Sequence, residues 1–298
     1  MALLNKSLVK AQDYNSSCIG YINNLKAEDK NPYQEIRKVP LDFNGIKSAA
    51  YAVQRLDEEK GWKEAGVVGQ SYMLLENKEV KEIADDIVDS AAIDFEVDKE
   101  FFNGKNFMLS YKAKDTLETG AIAPDAQIGD LNLGIQFWNS YDGSRSFGFS
   151  LMLYRLVCLN GMMSKLHLQN HRFRHAPGSE DWNKQLEAMV HTINLSQDGD
   201  NKGLNQMVEG IAKLNDYQVT IEGLSKIRHR FLQDLPVGVW GEILDRFTEP
   251  SGEYYSEQSG WGLLNSATDI LWHKEKPTLA SYNHNALITD GLIMAATT

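Results

Sequence analysis

The chain has 298 residues, 42% of them hydrophobic and 24% charged, an ordinary globular composition that allows one large domain or two modest ones. Its net charge of −11 excludes blanket affinity for nucleic acid or an anionic membrane, and no apolar run approaches the roughly 20 residues of a membrane span. The two cysteines, Cys18 and Cys158, provide neither a disulfide framework nor a metal-ligand cluster, so a reducing cytoplasm is the expected compartment.

The N-terminal run MALLNKSLVKAQDYNSS has no credible cleavage region, and no signal peptide is expected. Residues 1–40 read as an arm or loosely docked segment, and 41–298 as a single α+β domain. FNGIKSAAYAVQRLDEEKGW predicts a short element running into a helix that ends near Gly61. EVKEIADDIVDSAAI predicts a helix with Val80, Ile83, Ile87 and Val88 beneath an acidic outer face. From about residue 105 the apolar period becomes two. Phe107, Leu109 and Tyr111 share a face, as do Leu131, Leu133, Ile135 and Phe137, and then Phe147, Phe149, Leu151 and Leu153.

After Gly178 the period is helical. Ser179 is positioned to cap a helix carrying the stripe Trp182, Leu186, Met189, Val190 and Ile193. A second helix carries Leu204, Met207, Val208, Ile211 and Leu214, a third is stopped by Pro236, and a fourth repeats Trp261, Leu264, Thr268 and Leu271. Strands followed by helices, without βα alternation, predict an α+β fold. Its expected form is an antiparallel, hairpin-rich sheet over about residues 100–175, packed by C-terminal helices.

Charge is unevenly spread. Residues 143–179 contain no Asp or Glu, yet hold Arg145, Arg155, Lys165, Arg172 and Arg174; residues 76–100 are strongly acidic. Such asymmetry points to a localised anion-binding face, or else to a mostly buried strand region with little room for acids. Within NHRFRHA, alternating Arg172 and Arg174 suit a phosphate backbone, while Phe173 or His175 would stack on a base. The alternative is an ordinary strand or loop with a buried Phe. His167, His171 and His175 would share one face of a helix, but no carboxylate lies in that window and HRFRH looks extended, so no metal is expected. KIRHR (226–230) reads as a solvated helix face and Cys158 as a buried thiol. No nucleophile elbow, phosphate-binding loop, dinucleotide fingerprint or zinc motif occurs, so catalysis has no specific support and no cofactor is expected.

The stretch QFWNSYDGSRSFGF raises the question whether Asp142 is a working carboxylate or part of a turn. Cross-strand partners share a face, and both apolar sets are odd-numbered, so paired positions must add to an even number. A two-residue turn is thereby excluded. A three-residue loop, Tyr141-Asp142-Gly143, would pair Phe137 with Phe147 and Ile135 with Phe149. Gly143 then takes the left-handed position, Asp142 braces the turn, and Asn139 and Arg145 form a polar cross-strand pair.

The run NS-Y-DGS, then RLVCLNG, FRHA and WGLLNSATDILWH resembles the DUF932 family of phage/plasmid-like proteins over roughly residues 40–290. The matching positions are Asn139, Ser140, Asp142, Gly143, Ser144, Arg155, Val157, Cys158, Asn160 and Gly161. The family commonly has His where Tyr141 stands, and Thr where Ala176 stands. The resemblance implies a mobile-element or viral context, hence the host cytoplasm. Hairpins followed by helices are also broadly similar to Rad52-like single-strand annealing proteins. The resulting expectation is a non-enzymatic protein that binds or anneals single-stranded nucleic acid as a homo-oligomer, using Arg145, Arg155, Lys165, Arg172, Arg174, Phe173 and His175. A protein-interaction module without DNA affinity is the alternative, and a metal-dependent nuclease the third.

Overall fold

The computed structural model describes residues 31–116, 131–155, 160–162, 170–176, 182–197, 202–249, 258–272 and 279–298. Two antiparallel sheets precede a set of helices, so the fold is α+β.

The first sheet was not anticipated. Strands β1 (Ile36–Phe43), β2 (Ile46–Asp57) and β3 (Gly61–Gly69) pair in that order, in place of the expected helix ending near Gly61. Its organising signal is Asn44-Gly45, where both residues have positive φ (54° and 82°) and Phe43 pairs with Ile46. Those are the backbone angles of a two-residue hairpin turn, for which Asn-Gly is the preferred sequence. The alanines of SAAYAV suit a helix intrinsically, but ladder pairing on both edges of β2 overrides that weak preference. Val53, Arg55, Ala65 and Val68 face inward and are buried. β1 also begins inside the segment expected to be a loose arm, because Ile36–Pro40 are paired with β2.

Helix α1 (Asn77–Ser90) follows, opened by a reciprocal Glu76–Glu79 capping box. Of the expected stripe Val80 and Ile87 are buried, while Ile83 and Val88 are half-buried against the core; Ala84 is buried in addition. The second sheet has the order β4 (Phe95–Phe102), β5 (Asn106–Ala113), β6 (Leu131–Ser140), β7 (Phe147–Arg155) and β8 (Asn160–Met162). β9 (Asn170–Phe173) shares the outer edge of β7 with β8: β8 pairs with Leu153–Arg155, and β9 with Phe147–Ser150. The sheet therefore starts at Phe95, earlier than the apolar alternation alone indicates.

Every residue of β6 is buried, on both faces. One face carries Leu133, Ile135 and Phe137 against Leu153, Leu151 and Phe149. The other carries a polar cross-strand row, Ser110, Gln136 and Ser150, in which Gln136 Nε2 donates to Ser110 Oγ (3.3 Å). Tyr111 on β5 donates to Asp85 Oδ1 on α1 (2.6 Å), tying helix to sheet.

The helices are α2 (Trp182–Gln197), α3 (Lys202–Asp216), α4 (Ile221–Phe231), α5 (Val237–Thr248), α6 (Gly260–Trp272) and α7 (Leu279–Thr297). The predicted α3 stripe is fully buried, as are Trp261, Leu264, Thr268 and Leu271 of α6. Pro236 does follow α4, but as the N-cap of α5. The expected Ser179 cap and Cys158 lie outside the described residues. No helix among the described residues is long and apolar enough to cross a membrane.

Candidate functional site

The loop between β6 and β7 covers residues 141–146, longer than the three residues that parity suggested. Phe137 pairs with Phe149 rather than Phe147, and Ile135 with Leu151 rather than Phe149. The face assignment is right and the register is displaced by one full pleat repeat. Parity cannot detect that displacement, because a shift of two residues returns every side chain to the same face. Gly143 does occupy the left-handed region (φ 72°), and Asp142 Oδ1 does accept from Ser144 N–H (2.9 Å), bracing the turn.

Tertiary contacts explain the longer loop. Tyr141 is buried, and its hydroxyl accepts from Asn77 N–H (2.9 Å) at the start of α1. Its own N–H donates to the Lys105 carbonyl (2.8 Å) in the β4–β5 turn. Asp142 rests against Gly66 of β3, where a Cβ would stand 2.5 Å from the Asp142 Cα. Ser140 Oγ accepts from Arg145 N–H (3.1 Å) and donates to Arg145 C=O (2.9 Å), fixing the backbone that carries Arg145. The expected Asn139–Arg145 side-chain pair does not form. Asn139 is fully buried instead, and its Nδ2 donates to Leu75 C=O (2.9 Å) and Asn77 Oδ1 (3.0 Å).

The predicted basic residues divide between the two ends of this sheet. Arg172 on β9 stands opposite Gly148, at the Phe147 end of β7, and Arg174 directly follows the strand; both are exposed. Arg145 precedes the same end of β7. Its guanidinium is half-buried and held down to about 10, first by desolvation and second by the positive charge of Arg172. Among the described residues neither guanidinium has an acidic partner. Arg155 lies at the opposite end of β7, where it pairs with Leu131. Eight strand positions separate Phe147 from Arg155, roughly 26 Å. Arg155 therefore does not join the cluster, and Lys165 lies outside the described residues.

The proposed stacking residues are committed elsewhere. Phe173 is 5% exposed and stacks on Phe147 (5.5 Å between ring centroids), with Phe149 at 5.8 Å. It is a core residue, unable to take a base. His175 stacks on Tyr72 (4.6 Å) and donates through Nδ1 to Met73 C=O (3.0 Å), while Met73 N–H donates to His175 C=O (3.0 Å). Burial, opposed more weakly by the Met73 hydrogen bond, lowers its pKa. His175 is thus a clamp holding the end of β9 against the β3–α1 connection. Lys105 was missed by sequence reasoning. It stands apart from the basic run in sequence, and the pairing of Asn106 with Ser140 together with the Tyr141–Lys105 hydrogen bond brings its turn to the same sheet end.

Among the described residues no group of three or more His, Cys, Asp or Glu side chains could hold a metal ion. KIRHR lies on α4, with His229 and Arg230 exposed and Lys226 paired to Glu222 (2.8 Å). No curated protein and no solved structure matches the chain. A family model described as a domain of unknown function, DUF932, matches residues 64–288, which span both the loop and the basic sheet end, and the chain belongs to that family.

Proposed function

We propose that this protein binds single-stranded nucleic acid without cleaving it, gripping phosphates at the sheet end that carries Arg145, Arg172 and Arg174. The observation that carries the reading is that Arg145 and Arg172 lie at the same end of β7, near enough for the charge of Arg172 to act on Arg145, with no carboxylate partner among the described residues. Two like charges held together cost free energy that a bridging phosphate would offset, and a planar guanidinium suits bidentate contact with phosphate oxygens. The fixed backbone around Arg145 lowers the entropy lost on binding. With Phe173 in the core and His175 clamped, the contact is electrostatic rather than stacking, which favours sequence-indifferent binding.

Fluorescence anisotropy with a labelled single-stranded oligonucleotide over a salt series tests this. Binding should weaken steeply with salt. Arg145→Ala/Arg172→Ala should lower affinity by about tenfold or more and flatten the log–log salt slope by roughly 1.4, or about 0.7 per lost phosphate contact. Absence of binding at low salt, or a double variant indistinguishable from the parent, overturns the proposal.

A further inference from the structure

The outward face of the three-stranded sheet has a defined charge pattern. Ladder pairing puts Arg37, Gln54 and Glu64 in one cross-strand row, with the basic residue on one edge strand and the acidic residue on the other. An apolar row, Val39, Ala52 and Val67, lies on one side of it, and Leu56 with Trp62 on the other. On this face Arg37, Glu64 and Val67 (49%) are exposed and Val39, Gln54, Leu56 and Trp62 half-buried, while the small Ala52 between Val39 and Val67 is 5% exposed; inward-facing Val53 is 0% exposed. Arg37 is fixed in place: its guanidinium lies 3.9 Å from the centroid of the Trp62 ring, and its Nε donates to Gln54 Oε1 (3.0 Å). Glu64 is exposed and has no ion-pair partner among the described residues.

We infer that this face docks a second copy of the chain, sheet upon sheet, about a two-fold axis parallel to β2. A two-fold axis in the contact plane has two natural settings on a sheet. An axis across the strands would set Arg37 against the Arg37 of the other copy, which is repulsive. An axis along β2 sets each Arg37 against the other copy's Glu64, Gln54 against Gln54 and Val39 against Val67. The pattern is therefore self-complementary in one orientation only, as an isologous interface requires. Aligned packing of two sheets at about 10 Å follows from that setting.

The face is small. Three strands at about 4.8 Å spacing and about 25 Å of strand length give roughly 360 Å² per copy, below the roughly 600 Å² per partner of a stable specific interface. The dimer should accordingly be weak and concentration-dependent, and it is separate from the phosphate-binding reading.

Sedimentation velocity on the full chain from about 1 to about 300 µM measures it, with dissociation constants in the micromolar range or above expected. Arg37→Glu should raise the dissociation constant at least about tenfold by setting two acids against each other. Val67→Glu should do the same through the apolar row. Arg37→Glu/Glu64→Arg exchanges the charges without altering their complementarity and should recover most of the loss, except for the stacking on Trp62. A monomer at every concentration, a dimer indifferent to Arg37→Glu, or a charge-swapped variant as weak as the single one overturns the inference. Circular dichroism of each variant confirms that the exposed substitutions leave the fold intact.

Discussion

The two sheets use the same ladder chemistry under different surroundings. In the larger one, β6 is buried along its whole length and its neighbours approach closely. A Cβ on Gly148 would lie 2.5 Å from both the His171 carbonyl oxygen and the Trp138 ring. In the smaller one, the inward face joins the core while the outward face carries exposed Arg37, Glu64 and Val67. The contrast teaches that strand content alone does not set tolerance to change. What matters is whether one face or both are covered, because a doubly covered strand has no direction in which to relax.

Matched substitutions break or sharpen that contrast. Gly148→Ala forces the Cβ into backbone as well as side chain, so about 3 kcal/mol of destabilisation is expected, together with loosening of β9 and weaker oligonucleotide binding. Gly69→Ala, in the smaller sheet, meets nothing within 4 Å and should lie within about 0.5 kcal/mol of the parent. Urea denaturation of the pair gives the comparison directly, and equal effects would refute it. Next in size, Asn139→Ala strands the Leu75 carbonyl and Asn77 Oδ1 without their donor, for about 2 kcal/mol. Gln54→Ala on the open face removes one hydrogen bond to exposed Arg37 and should cost under about 0.5 kcal/mol.

The smallest effect concerns His175, which clamps β9 to the β3–α1 connection. Its folded pKa is lowered, chiefly by burial, so the unfolded chain binds the proton more readily. The stability contributed by the neutral ring is fully present above the unfolded value near 6.5 and is lost as pH falls below it. Denaturation curves across that range should show this decline in the parent and a shallower one in His175→Gln. Identical profiles would remove His175 from the account.

Part of the molecule was legible because burial imposes a period. The alternating residues of β5, β6 and β7 and the stripes of α1, α3 and α6 lie on the faces their spacing predicts. Gly143 and Asp142 perform the turn roles that their chemistry suggests. The first sheet was misread although its Asn44-Gly45 turn was in plain view, since an alanine-rich run satisfies a helix until ladder partners exist on both sides. β4 was hidden by its acids: FEVDKEFF is an edge strand with much of its length in water. Phe173 reads as a stacking residue because it lies between two arginines, and nothing local reveals that Phe147 and Phe149 enclose it.

The sequence by itself determined which residues of β5, β6, β7, α3 and α6 face inward, that Asp142 and Gly143 form the turn after β6, and that positive charge gathers in one acid-free window. It also determined family membership, through motifs that need no fold to be recognised. Only the tertiary structure decided the register of β6 on β7. Parity fixes a strand's face but not its offset, and the offset follows from Tyr141 reaching Asn77 and the Lys105 turn. Only the tertiary structure, too, separated Arg155 from Arg145 and Arg172. Residues ten apart in sequence occupy opposite ends of one strand, whereas Arg172 comes alongside by strand pairing. Charge along a chain is a one-dimensional property, and a binding surface is assembled in three.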